Sequence, residues 1–210
     1  MITEYTTIRA ESSDSFYEKK SRFIGSACPC STEEEAVTFI RRMRSGYKDA
    51  SHNCYAYVIG ENSGIMRYSD DGEPGGTAGL PIMDVLQSGK IVNCCVVVTR
   101  YFGGILLGTG GLVRAYTQGC KIALHAAGIV RMEMTCRDHC EIPYSQWNQL
   151  QYASGRLPVQ IVDTEYGQSV SFVLLSRLRD REYVENELFK ATCGSLKITS
   201  GKEKYEAWDI

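Results

Sequence analysis

One stretch narrows the folds open to this chain more than any other. Ile91 to Tyr101 reads IVNCCVVVTRY and is the most apolar strand-like run in the sequence. Its composition predicts a β-strand buried on both faces. Cys94 and Cys95 within it should then point to opposite faces, because side chains alternate along a strand. A glycine-rich loop lies on either side. The first runs Asp70-Asp71-Gly72-Glu73-Pro74-Gly75-Gly76-Thr77-Ala78-Gly79, and the second Tyr101-Phe102-Gly103-Gly104-Ile105-Leu106-Leu107-Gly108-Thr109-Gly110-Gly111. Glycine permits positive φ and close approach of the backbone to a ligand or to another element. After the first loop a short helix, Ile82 to Gln87, carries Pro81 in its first turn. After the second, a helix is expected from Gly111 to Ala127, stopped by Gly128. Leu112, Ala115, Tyr116, Gly119, Ile122, Ala123 and Ala126 form its inner face, and this predicts a close helix–sheet contact.

Upstream, residues 1–15 read as a short edge strand or arm, and Phe23 to Cys28 as a strand. A helix is predicted over Thr32–Arg44, capped by Ser31 with Glu34 closing a capping box. His52 to Ile59 and Ile65 to Tyr68 read as two strands around a turn at Gly60–Gly64. From Arg131 the pattern restarts. A strand to Glu141 precedes a helix over Tyr144–Ala153, and strands Val159–Tyr166 and Ser169–Leu175 flank a turn at Gly167. A helix over Arg179–Lys190 and a strand over Leu196–Thr199 follow. This β-α-β-β-α-β order is the split βαβ, ferredoxin-like plan. Two domains are therefore expected, 1–129 and 130–210, in an α+β protein.

Composition excludes several classes. With 210 residues and 43% hydrophobic content the chain can build a core, and a net charge of −2 does not advertise nucleic-acid binding in bulk. A local basic patch remains open. The start, MITEYTTIRAESSD, lacks an apolar signal region, and no run has the length of a membrane span. A cytoplasmic protein without membrane attachment is the expectation. Nine cysteines read as reduced thiols, several of them buried. Cys28-Pro29-Cys30, and Cys136 with Cys140, come nearest to metal spacing. Neither is a CxxC, so a structural zinc is the lesser alternative to buried thiols.

The second glycine loop follows a strand and opens a helix, a context suited to anions because unpaired N–H groups face outward there. It lacks the lysine of a P-loop after Gly103-x4-Gly108-Thr109. It also has Val113 where a dinucleotide loop needs a third glycine. A tight packing turn is the other reading. Arg100 and Arg114 flank the loop with Tyr101 and Phe102 between them, a mixture that can hold RNA phosphates and stack bases. The opposing reading has Phe102 in the core and Arg100 paired with an acid of the first loop, and Tyr116 fits either. Asp70, Asp71 and Glu73 could hold a divalent ion or work as acid and base, or else cap local backbone. His52 is the histidine that could join them. It could also serve Thr77 or Ser69 in a triad, or Cys54 as a Cys–His pair, though nothing in the sequence brings these together.

Four ordered motifs carry a resemblance. They are Lys20-Ser21-Arg22-Phe23-Ile24, His52-Asn53-Cys54-Tyr55-Ala56-Tyr57, Asp70-Asp71-Gly72-Glu73-Pro74-x-Gly76-Thr77-Ala78-Gly79-x-Pro81, and Val98-x-Arg100-Tyr101-Phe102-Gly103-Gly104-x-x-Leu107-Gly108-x-Gly110-Gly111-Leu112-Val113-Arg114-Ala115-Tyr116. Over residues 18–128 the chain resembles the YigZ/Impact family, in its bacterial two-domain form. The resemblance implies an N-terminal domain like the second domain of a small-subunit ribosomal protein and the fourth domain of elongation factor G. It implies a C-terminal domain like the fifth domain of that factor. Some members place a lysine within positions 105–107, where this chain reads Ile-Leu-Leu. Eukaryotic members act in translational control through a kinase system that bacteria lack, so that partner does not carry over.

The expected function is therefore non-catalytic binding of RNA or a ribosomal component in translational regulation. The surface would comprise Arg100, Tyr101, Phe102, Arg114 and Tyr116, with backbone amides of Gly103, Gly104, Gly108, Gly110 and Gly111 on phosphate, extended by Lys19, Lys20 and Arg22. No cofactor and no metal is expected. An enzyme acting on a phosphorylated or nucleotide substrate through Asp70, Asp71, Glu73 and His52, or a protein–protein interaction module, are the alternatives.

Overall fold

The computed structural model describes residues 4–209. The chain divides into two compact units. One holds the described residues to Met132 together with the segment from Ala207, and the other holds Glu133–Glu206. Positions 1–3 of the arm expected over 1–15 lie outside the described residues. From Glu4 the arm is two strands, β1 (Glu4–Ile8) and β2 (Ser12–Glu18). The first unit continues with β3 (Ser21–Pro29), α1 (Glu33–Gly46), β4 (His52–Ile59), β5 (Ile65–Ser69), α2 (Gly79–Ser88), β6 (Cys94–Tyr101) and α3 (Thr109–Ala127).

β6 is the strand predicted from its valines. It lies at the centre of a five-stranded sheet of order β2-β3-β6-β4-β5, antiparallel throughout. Every residue from Cys94 to Arg100 is buried. The alternation is as expected. Cys94, Val96 and Val98 join a core with residues of α2 and α3, while Cys95 and Val97 join another with Ala36, Phe39 and Ile40 of α1. Helices thus cover both faces of the sheet, and this is why the strand shows no polar side.

Local starts and stops needed correction. α1 is capped by Thr32, not Ser31, and the box is closed by Glu35 instead of Glu34. The Ser31 N–H also donates to Glu35, at 2.6 Å. α3 begins two residues earlier than predicted, and Gly128 ends it with φ +73°. Its buried face takes in Cys120, Leu124 and Ala127, whereas Ala126 is exposed and Ile122 only half-buried. The close contact with the sheet is present. A Cβ on Gly25 of β3 would lie 2.0 Å from the carbonyl oxygen of Gly119 in α3.

β7 (Ile129–Ile142), which enters the second unit at Glu133, then α4 (Tyr144–Ser154), β8 (Val159–Tyr166), β9 (Val170–Arg177), α5 (Arg181–Ala191) and β10 (Lys197–Thr199) follow the predicted succession, with a 3-10 turn over Leu178–Asp180. The strands run β10-β7-β9-β8, all antiparallel to their neighbours. Ile142, Leu150, Leu174, Val184 and Leu188 fill its core, with Trp147 set against Phe172. A further strand, β11 (Glu203–Asp209), was not predicted. The two antiparallel sheets and five α-helices make this an α+β protein. No helix among the described residues is long and apolar enough to cross a membrane.

Candidate functional site

The two glycine loops meet the sheet at one end of β6. Arg100 is opposite Phe23 of β3 and opposite His52 of β4, so these three form one row across the sheet. Glu73 of the first loop and Tyr116 of α3 come down onto that row. Glu73 Oε1 accepts from the Arg100 guanidinium and from the Tyr116 hydroxyl, both at 2.7 Å, and His52 Nε2 lies 3.9 Å away. Arg100 is 5% exposed and Glu73 8%, and Tyr116 is fully buried. The guanidinium lies between two rings, 5.6 Å from the centroid of Phe23 and 5.4 Å from that of Phe102. Burial raises the Tyr116 phenol well above its ordinary pKa, which keeps it a neutral donor to the carboxylate.

This geometry redistributes the predicted surface. Arg100 and Tyr116 belong to a buried polar core and cannot present themselves to RNA. Of the two readings left open for Arg100, pairing with an acid of the first loop is the one observed. Phe102, the proposed core residue of that same reading, is instead 48% exposed. Tyr101 is half-buried and its hydroxyl donates to Asp49 at 3.0 Å.

Asp70 and Asp71 of the first loop are both engaged with backbone N–H groups. Asp70 accepts from the N–H groups of Gly76, Ala78 and Gly79 at 2.8 to 3.0 Å. It caps the start of α2 from a distance, because Ala78 at the N-cap position has no side chain able to do so. Asp71 accepts from the Asn53 N–H at 2.7 Å and from Arg44 at 2.5 Å. Its carbonyl meets His52 Nδ1 at 2.9 Å. Asp70 is therefore turned into the loop itself and Asp71 onto β4 and α1, and among the described residues they belong to no three-residue metal-binding group. Cys54 donates its thiol to the Asp70 carbonyl at 2.9 Å, and burial pushes that thiol up, away from a reactive thiolate. Asp70→Ala should lower stability by about 2 kcal/mol, since three N–H groups lose a charged acceptor. Urea-dependent hydrogen exchange of the α2 amides would measure this.

The second loop has two kinds of glycine. Gly103 is a packing glycine. Its Cβ would sit 2.0 Å from the carbonyl carbon of Lys20, and its N–H donates to Ser21 Oγ. Gly104 (φ +82°) and Gly108 (φ +70°) take left-handed backbone and face open space, and Gly110 is exposed in the first turn of α3. Gly111 is half-buried against Leu107. Gly108 is the N-cap of α3. It offers no side-chain acceptor, and the first turn holds no acid. Arg114 is exposed one turn further on.

No local pattern marks the hairpin that completes this face. β2 and β3 are joined by Lys19 and Lys20 alone, at φ +46° and +70°. Those are the signs of a type I′ turn, which favours Asn-Gly over two lysines. The contact of Gly103 with Lys20 sets the lysine turn beside Phe102. Arg22 is exposed opposite Tyr101 on β6. Phe23, which the sequence marks as a strand residue within the first of the four motifs, is the second ring on Arg100.

Fold and site together describe a two-unit α+β protein whose first unit joins two glycine loops through a buried Glu–Arg–Tyr core. Residues 19–124 match the family model of the Impact N-terminal domain, and residues 140–195 match a domain of unknown function (DUF1949). The chain is 34% identical to the IMPACT family member YvyE of Bacillus subtilis, over 98% of this chain and 94% of that protein. It is 38% identical to the IMPACT family member YigZ of Escherichia coli, over 75% of this chain and 76% of the relative. A crystal structure of a hypothetical protein aligns with 97% of this chain and all of its own at TM-score 0.61 and 30% identity. The chain belongs to the IMPACT family, as its four motifs indicated.

Proposed function

We propose that this protein binds RNA or an RNA-bearing ribosomal surface in the cytoplasm and modulates translation, without catalysing a reaction. One observation carries the reading. Lys19, Lys20 and Arg22 lie on a hairpin packed against Gly103, next to the exposed ring of Phe102 and the loop that leads to the uncapped N-terminus of α3. Cations for phosphate, a ring for a base and unpaired N–H groups for an oxyanion are the elements of single-strand recognition. Two lysines held in left-handed backbone cost conformational energy, and such strain is concentrated at functional sites. The RNA-facing set is then Lys19, Lys20, Arg22, Phe102, Gly104, Gly108, Gly110 and Arg114, with Tyr101 at its edge.

The reading also takes the first unit as like the second domain of a small-subunit ribosomal protein and the second as ferredoxin-like, akin to the fifth domain of elongation factor G. The strand order β10-β7-β9-β8 supports the latter. Likeness of fold alone does not assign a role. A protein-docking reading draws on Ile105, Leu106 and Val113, which are 41%, 82% and 38% exposed beside the same loop.

The test is a salt series with single-stranded RNA and with ribosomal subunits. Lys19→Ala/Lys20→Ala/Arg114→Ala should weaken RNA binding at least about tenfold near 0.1 M salt. The log–log salt slope should fall by about 2, for three lost phosphate contacts. An unchanged slope would overturn RNA contact by this face. Binding to subunits lost in Leu106→Asp but unaffected by the triple variant would favour protein docking.

A further inference from the structure

The α1-facing side of the first sheet holds a pair of thiols separate from the loop site. Cys28 lies near the end of β3, opposite Cys95 in register, and Cys30 follows it after Pro29. Cys30 and Cys95 are buried with Phe39 and Ile40 of α1, and Cys28 packs against the same cluster while remaining partly exposed. Cys28 and Cys30 both line an open cavity of about 520 Å³, together with Thr38, Phe39 and Arg42 of α1. Arg42 reaches Glu11 at 2.5 Å, and the Cys28 thiol donates to the Pro29 carbonyl at 3.4 Å.

The two sulfurs are unequal. The Cys30 thiol donates to the Cys28 backbone carbonyl at 3.5 Å. Cys28 lies below the ordinary thiol range, chiefly through the neighbouring Cys30 thiol; burial and the Glu11 carboxylate oppose this, and Arg42 adds a smaller lowering. The neighbouring Cys28 thiol, reinforced by burial, raises Cys30. A partly exposed thiol and a buried, protonated one, two residues apart, therefore line the same cavity. All nine cysteines are free, so the pair is in its dithiol form.

We propose that Cys28 and Cys30 form a dithiol site that reduces low-molecular-weight disulfides. The Cys28 thiolate attacks one sulfur of the disulfide RSSR, forming a Cys28–S–S–R bond and releasing RS⁻. The Cys30 thiol, losing its proton to solvent, then attacks the Cys28 sulfur. The Cys28–Cys30 bond closes and the second RS⁻ leaves, to be protonated. Two protein thiols are oxidised and one disulfide is reduced to two thiols.

The full-length reduced protein itself supplies the test. It is incubated with 2-hydroxyethyl disulfide, blocked with iodoacetamide and digested with trypsin. Phe23–Arg41 is one tryptic peptide and holds Cys28 and Cys30 but no other cysteine. The expected product is this peptide two hydrogens lighter and unalkylated, formed at least about fivefold faster than any adduct on the exposed Cys193. In Cys30→Ser the same peptide should accumulate as the mercaptoethanol adduct on Cys28, and in Cys28→Ser it should stay reduced. Adduct on Cys193 with Phe23–Arg41 still fully alkylated would overturn the proposal. So would a wild-type peptide that stops at the Cys28 adduct. Both outcomes are read on the wild-type protein, so a variant that fails to fold leaves the test intact.

Discussion

Glu73→Ala is expected to remove about 3–5 kcal/mol from the stability of the first unit. The side chains of Glu73 and Arg100 are 3% and 6% exposed, and the variant leaves the Arg100 guanidinium buried without its counter-ion. Arg100 Nε already has no partner, so the carboxylate is the contact that offsets its burial. Tyr116 loses its acceptor in the same step. The double variant Glu73→Leu/Arg100→Met should regain most of the loss, because it removes both charges and keeps apolar volume. Urea-dependent hydrogen exchange of the β6 amides is the suitable readout, since it reports this unit alone. A loss below about 1 kcal/mol in Glu73→Ala would mean that water reaches the guanidinium and that the pair behaves as a surface bridge. It follows that Arg100→Ala is a poor probe of RNA binding. It would disturb the core that positions both loops.

Gly25→Ala should cost about 3 kcal/mol or prevent folding of the first unit. The added carbon would sit 2.0 Å from the Gly119 carbonyl oxygen and 3.1 Å from Ala123 Cβ. Neither the strand nor the helix can yield without shifting backbone. Gly46→Ala is the matching control. It lies at the end of α1 with nothing within 4 Å of the added carbon, and it should be neutral or stabilising by up to about 1 kcal/mol. Denaturation midpoints of the two variants separate steric from conformational effects of glycine. Equal losses in both would remove the argument for a close β3–α3 contact.

The features that sequence conveyed were those written in local pattern. The bounds of β4, His52–Ile59, and of β8, Val159–Tyr166, follow from aromatic and β-branched residues between turn formers. The two-sided burial of β6 follows from its lack of polar alternation. The cap of α1 was ambiguous because Ser31 with Glu34 and Thr32 with Glu35 both fit the same box. Only the helix start decides between them. The candidate site was harder to read because its contacts are distant in sequence. Glu73 meets Arg100 across 27 residues and Tyr116 across 43, and nothing local marks an arginine at a strand end as buried. The lysine hairpin was missed for the opposite reason. Its residues contradict the usual turn preference, and the clearest strain in the surface hairpin therefore fell where local rules were least informative.

The insertion of β6 between β3 and β4 has a consequence for synthesis. β3 and β4 are both translated before Cys94, yet neither pairs directly with the other in the finished sheet. While the ribosome is still short of this strand, two apolar edges that the native protein covers are left open on the emerging chain. The five-stranded sheet can close only when its last strand enters between two older ones, so its assembly waits until residues 94–101 have left the ribosome.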